Sequence, residues 1–329
     1  MNEYCFKLKE AVLSGKEISF EDAIKLTALE GPQIFDLLAC ANWIRDKYKN
    51  KKIIFCSIVN AKCGECPEDC AFCSQSVHHQ TNINSYPLLP ADEIINSADD
   101  AFKNGATEFS IVTSGRGVVE EREISSLEET FSKFNKNLQI PVCASLGLLD
   151  IDTALRYKKA GLKNYHHNLE TSESFFKNIC STHSYKESIE TVRIAKKTGF
   201  RVCSGGIFGM GETPQQRVEL AFTLKELDVD CIPMNFLNPI PGTPLENMPP
   251  TKPLEILKTI AVYRFILPQK DIIICGGREI NLRDLQSFMF VAGANGTMLG
   301  NYLTTKGRAA KEDLQMIKDL GLDTDSKQG

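Results

Sequence analysis

Residues 64–76 read GECPEDCAFCSQS and carry Cys66, Cys70 and Cys73 in the spacing C-x3-C-x2-C. A zinc ribbon pairs one C-x2-C with a distant second one, so the run does not fit it. The bacterial ferredoxin run is C-x2-C-x2-C-x3-C, which also differs. Three close thiolates can wrap three irons of a 4Fe–4S cube, and the fourth iron then stays open for a reactant. The loop's place is as informative as its spacing. It comes just after IIFCSIV, residues 53–59, a short β-branched run that reads as a strand. In a parallel α/β barrel, chemistry gathers where such strands end.

Outward from this loop the chain repeats one pattern. Further apolar runs are TEFSIVTS (107–114), PVCASLG (141–147), NYHHNLE (164–170), RVCSGGIFG (201–209), CIPMNFL (231–237), DIIICGG (271–277) and GTMLGN (296–301). Between them lie helix-period segments at 91–104, 120–135, 150–160, 185–198, 213–227, 253–267 and 283–292, with another at 311–320. Strand–helix alternation implies parallel strands joined by right-handed crossovers, and eight units close a (β/α)8 barrel of the TIM type. A doubly wound open sheet is disfavoured, since no G-x-G-x-x-G turn follows an early strand. Before the first strand, SFEDAIKLTAL and GPQIFDLLACANWIRDKYKN have apolar residues at helical spacing. The expected organisation is an N-terminal helical extension over 1–50, a barrel over 51–320 and a C-terminal tail over 321–329.

The bulk numbers agree with one soluble globular unit. The chain has 329 residues, 42% hydrophobic and 24% charged, with a net charge of −4. Neither a nucleic acid nor an anionic membrane is expected as a partner of such a surface. No run approaches the ~20 apolar residues of a membrane helix, and MNEYCFKLKEAVLSG does not read as a signal peptide. A cytoplasmic location follows as an expectation. Twelve cysteines in such a chain point to reduced thiols, some of them metal ligands, rather than a disulfide framework. Cys5, Cys40 and Cys180 read as small buried hydrophobes.

The loop resembles the signature of the radical S-adenosylmethionine superfamily, with Phe72 in the aromatic place before the last cysteine. In that superfamily the open iron binds S-adenosylmethionine, and one electron from the cube cleaves it to a 5′-deoxyadenosyl radical. Because the superfamily spacing is complete without Cys63, that residue is taken as a neighbour. CPEDCAFCSQS resembles the biotin synthase family more narrowly. So do YHHNLETS, VCSGGIFGMGET, NFLNPIPGTPL and GGRE…FMFVAGAN, across about residues 30 to 310. The resemblance implies sulfur insertion into dethiobiotin to form biotin. It also implies a reducing partner such as flavodoxin or ferredoxin, proteins that supply cluster and sulfur, and a homodimer. Asn168 and Glu170 resemble the family's substrate- and ribose-binding pair, and strand alternation puts them on one face. His183 stands where some members have Arg. Gly209, Gly211 and Glu212 resemble the glycine-rich contact with S-adenosylmethionine, although GMGET is equally a strand-to-helix turn with Thr213 as cap. Asn235, Thr304 and Thr305 match substrate-binding positions. Two amides offer donors and acceptors, as a cyclic urea needs.

The auxiliary site departs from the family. A second, 2Fe–2S cluster is familiar there, held by three cysteines and an arginine. Here Cys143 and Cys203 are kept, while Ser110 and Ile273 stand at the other two positions. Cys275, two residues after Ile273, shares its face. Cys143, Cys203 and Cys275 are therefore the expected ligands of an auxiliary iron–sulfur cluster, and three thiolates suit a 4Fe-type cluster better than 2Fe–2S. Cys231 has the parity of Asn235 and is expected to face inward. Ser110 is not expected to bind iron, as its hydroxyl would have to lose a proton. Two other readings are a radical enzyme of related fold, of hydrogenase-maturation or mutase type, and a non-catalytic electron carrier.

Overall fold

The structure is a computed structural model that describes residues 2–138 and 140–324. Its centre is a ring of parallel strands: β1 (Lys52–Lys62), β2 (Glu108–Thr113), β3 (Val142–Ser145), β4 (Asn164–His166), β5 (Arg201–Cys203), β6 (Gly206–Phe208), β7 (Cys231–Phe236), β8 (Asp271–Ile274) and β9 (Gly296–Met298). Neighbours pair in chain order except that β5 and β6 both pair with β7, and β9 closes on β1 through Ile54 opposite Gly296 and Phe55 opposite Thr297. β5 and β6 form one stave of the eight. Cys203 still pairs with Cys231, the ladder then lapses, and β6 resumes along β7. The interruption falls at Gly205, where a Cβ would lie 1.9 Å from the carbonyl oxygen of Pro233. Only a residue without a side chain lets the two backbones come this close.

Helices cover the outside of the ring. Several begin where the sequence supplies a cap: Asp150 before 151–160, Ser184 before 185–197 and Thr213 before 214–226, the last two completed as capping boxes by Glu187 and Gln216. Phe109, Phe131, Tyr157, Tyr165, Phe208 and Phe236 are buried in the layer between strands and helices. Helices α1 (Glu3–Leu13), α2 (Phe20–Thr27) and α3 (Gln33–Lys49) precede the barrel, and α2 and α3 pack on helix 253–266. That helix is consequently buried at ten of its fourteen residues, Ile256, Leu257 and Thr259–Ile266. Its second half is buried on every side because neighbours cover it all round.

Three segments differ from the periodic reading. The expected helix 283–292 is broken into Arg278–Leu282, a 3-10 turn at 283–285 and Phe288–Val291. The buried Arg278 guanidinium pairs with Asp313 at 2.6 Å across the fold, a contact that periodicity does not encode. NYHHNLE is a strand only as far as His166, and an extended segment carries Asn168 and Glu170 onward. Of the expected tail, Asp323 and Thr324 form β10 against Lys52 and Ile53, and residues 325–329 lie outside the described residues. No helix among the described residues is long and apolar enough to cross a membrane.

Candidate functional site

The strand ends surround a cavity of about 330 Å³ that runs down the lumen. Its mouth is formed in part by the cysteine loop. Gly64 leaves β1 with φ 78°, and a Cβ there would lie 2.1 Å from Ser85 Oγ. The loop then folds on itself: the Cys66 N–H donates to Gln75 O at 3.0 Å, Val77 N–H returns to Cys66 O at 2.9 Å, and Cys73 N–H donates to Cys70 O at 2.9 Å. Cys63 exchanges two backbone hydrogen bonds with Tyr86. Burial pushes the thiols of Cys66 and Cys73 up, the latter to about 11. Phe72 lines the cavity. Ser74, two residues on, shares a hydrogen bond of 3.2 Å with Thr304 across the mouth.

Behind Cys70 lies a group that sequence reading missed. Cys180, read above as a plain buried hydrophobe, has its sulfur 3.8 Å from that of Cys70 and 3.2 Å from His183 Nδ1. Hydrogen bonds from Cys70 and His183 pull the Cys180 thiol down to about 4. Burial works against the His183 imidazolium, but hydrogen bonds to Cys180 and Glu68 outweigh it and raise the ring to about 9. Glu68 Oε2 lies 2.5 Å from the same Nδ1 and also takes Thr182 Oγ1 at 2.5 Å. The contact is a correction to the reading of Cys180, whose partner is 110 positions away in the chain.

On the cavity wall the side chains of His166, Asn168 and Glu170 follow one another up the fourth stave. Asn168 Oδ1 accepts the Gly205 N–H at 3.1 Å and faces His166 Nε2 at 2.8 Å, while its amide donates to Glu170 Oε2 at 3.3 Å. Glu170 has φ 64°, costly for a residue with a side chain, and the strand-like bond from Ile207 N–H to Glu170 O at 2.8 Å holds it there. Burial raises the Glu170 carboxyl to about 7. Opposite, Asn235 Oδ1 accepts the Gly276 N–H at 3.0 Å. Thr304 and Thr305 line the cavity as well. Gly209, Gly211 and Glu212 do not. The Glu212 carboxylate turns onto its own loop, accepting the N–H groups of Gly209 and Met210 at 2.8 Å each and pairing with Arg217 at 2.7 Å. Thr213 caps the following helix.

The cavity floor is made of thiols. Cys143, Cys203, Cys231 and Cys275 all reach it, and so does Cys56 of β1, which the sequence reading passed over. Alternation along IIFCSIV puts Cys56 on one face with Ile54 and Ile58, so the signal was present. Ser110 and Ile273 also line the floor. Hydrogen bonds from Cys143 and Cys231, with the Arg201 guanidinium nearby, hold Cys203 well below the ordinary thiol range. Cys143 and Cys231, as the donors, are raised, and burial pushes Cys275 up to about 12. Beneath them Arg201 bridges Glu108 at 3.2 Å and Asp271 at 2.7 Å.

All twelve cysteines are free thiols. Two donor sets therefore stand at the two ends of one cavity, and each fits an iron–sulfur group by its chemistry: soft, reduced thiols, buried or half-buried. Among the described residues, the ligand atoms of Cys66, Cys70 and Cys73 do not gather within 4.8 Å.

The sequence profile of the Radical SAM superfamily matches residues 63–224, and that of the Biotin and Thiamin Synthesis associated domain matches 233–323. Biotin synthase of Geotalea uraniireducens is 51% identical over 311 residues, 94% of each chain. That of Geobacter sulfurreducens is 51% identical over 322 residues, 98% of each. Among solved structures, methylornithine synthase superposes with a TM-score of 0.84 at 21% identity, over 96% of both chains. The FeFe-hydrogenase maturase of Carboxydothermus hydrogenoformans gives 0.82 at 17%, over 97% of this chain and 79% of the maturase. These structures share the barrel; the biotin synthases share half of the sequence along nearly its full length. The chain belongs to the biotin synthase family of radical S-adenosylmethionine enzymes.

Proposed function

We propose that the chain inserts sulfur into dethiobiotin to form biotin, with Cys66, Cys70 and Cys73 holding a 4Fe–4S cube. One observation carries the reading: a floor of five thiols lies under the same cavity whose mouth is the cysteine loop. A radical enzyme that only rearranges its substrate has no need of that floor. When bound, the cube and S-adenosylmethionine supply a carbon radical able to take hydrogen from unactivated C–H groups. The auxiliary iron–sulfur cluster supplies the sulfur.

The chain's residues then have these tasks. Cys143, Cys203 and Cys275 hold the auxiliary cluster, and Cys56 and Cys231 stand beside them as further thiols. All of these thiols except Cys203 are raised, and a bound metal's charge would remove that penalty. Asn168, Asn235, Thr304 and Thr305 bind dethiobiotin between the two ends. Phe72, Glu170 and His183 surround S-adenosylmethionine, and the Gly209–Gly211 turn, stapled by Glu212, supports it. The apolar remainder of the wall, Ile58, Val112 and Ile207 among it, keeps water from a reactive intermediate. The reading calls for a one-electron donor of flavodoxin or ferredoxin type, proteins that renew iron and sulfide, and two copies of the chain in the cytoplasm.

The test is anaerobic turnover of cluster-loaded protein with S-adenosylmethionine, a reductant and dethiobiotin. Both 5′-deoxyadenosine and biotin are expected. 5′-Deoxyadenosine without biotin would refute sulfur insertion and leave another radical reaction.

A further inference from the structure

The group behind Cys70 has a geometry that a cube does not explain. Among the described residues, the only three metal-ligating side chains whose ligand atoms all lie within 4.8 Å of one another are Cys70, Cys180 and His183. The two sulfurs are 3.8 Å apart. Two thiolates bound tetrahedrally to one ion at about 2.3 Å each stand roughly 3.8 Å apart. His183 Nδ1, 3.2 Å from the Cys180 sulfur, points into the same space. Cys180 is buried, His183 is nearly so, and T-shaped packing of Phe176 on the His183 ring at 5.4 Å fixes its orientation.

We infer that, in cluster-free protein, Cys70, Cys180 and His183 form a site for a single soft divalent cation, Zn²⁺ or Fe²⁺. Two thiolates and one imidazole are a zinc-type donor set, gathered here from two loops. The inference rests in part on the reading of Cys70 as a cube ligand. Cys70 cannot serve both groups at once, so the single ion and the cube exclude each other. Zinc seated here blocks cluster assembly; iron seated here is the first iron in place.

The experiment is cobalt titration of reduced, cluster-free protein under anaerobic conditions, followed by the sulfur-to-cobalt charge-transfer band and the tetrahedral visible bands. Because the floor thiols can also take cobalt, the readout is the difference from wild type. Cys180→Ala and Cys70→Ala are expected to bind one equivalent less, and Cys66→Ala and Cys73→Ala to bind as wild type does. Zinc added before iron and sulfide should lower cluster incorporation several-fold in wild type and leave Cys180→Ala unaffected. Successful loading of Cys180→Ala also shows that it folds. Equal cobalt binding by Cys180→Ala, or loss of the same equivalent in Cys66→Ala, overturns the site. If Cys70→Ala keeps its cube while losing the cobalt, the cube assignment fails and the single-ion site stands.

Discussion

The two ends of the cavity are built in opposite ways. The outer cysteines come from one loop of eight positions, braced by its own backbone hydrogen bonds. The inner thiols come from β1, β3, β5, β7 and the end of β8, five staves that meet only when the ring has closed. A local site is specified by spacing; a distributed one is specified by strand parity and register. The outer loop is docked from a distance too, Ser74 on Thr304 and Cys70 on Cys180, but the order of its ligands is fixed within the loop, while the inner set fails if any of its staves shifts by one residue.

The largest effect separates the two ends outright. Cys66→Ala, Cys70→Ala and Cys73→Ala should each bring S-adenosylmethionine cleavage to the assay floor, and Cys63→Ala should stay near wild type. Cleavage lost in Cys63→Ala but kept in Cys66→Ala would reverse the assignment. Next, Cys275→Ala should lower iron per chain and abolish biotin while sparing cleavage, with Ser110→Ala close to wild type in all three measurements. Full biotin yield from Cys275→Ala would return the inner site to Cys143 and Cys203 with Cys231 or Cys56.

What was readable follows the same division. The loop, the eight staves and the shared face of Asn168 and Glu170 all show in sequence, because contiguity and period two are written along the chain. Cys56 is equally readable by parity, since it alternates with Phe55 and Ser57 on the face of Ile54 and Ile58. Cys180 was not readable: its contact with Cys70 spans 110 positions and depends on how two loops dock. Nor was the direction of Glu212, since a loop residue follows no period. The break in the expected helix 283–292 falls where Arg283 takes φ 52°, and no local pattern names it.

A smaller effect probes the layer under the floor. Arg201→Gln leaves Glu108 without its cation, while Asp271 keeps Lys49 at 2.8 Å. The cost should be roughly 2 kcal/mol, below the ~3–5 kcal/mol of a fully buried pair, because solvent reaches part of the Arg201 side chain. Differential scanning calorimetry should show a lower Tm with the outer loop's cleavage activity unchanged. An unchanged Tm would mean that the floor does not depend on this network.

The smallest is a pH effect at the wall. The Glu170 carboxyl, raised to about 7 by burial, ionises as pH climbs through that value. If it accepts ribose hydroxyls, the affinity of cluster-loaded protein for S-adenosylmethionine should rise severalfold from pH 6 to 8, and Glu170→Gln should flatten the profile. A profile identical in the two proteins would remove Glu170 from that role.

The lapse in the fifth stave has a consequence for selectivity. At Gly205 the chain leaves its ladder, and the liberated N–H is spent on Asn168 Oδ1. The Gly276 N–H does the same to Asn235 Oδ1. Each amide oxygen thus holds a backbone donor before any ligand arrives, and neither amide can turn over without orphaning a peptide N–H. The NH₂ groups are held as well, Asn168 on Glu170 Oε2 at 3.3 Å and Asn235 on Gly206 O at 3.4 Å. With one hydrogen left on each NH₂ and one lone pair left on Asn235 Oδ1, the two side chains are a fixed template of donors and an acceptor, not a pair of adaptable groups. The backbone, by breaking its own pattern, has decided which way each amide faces.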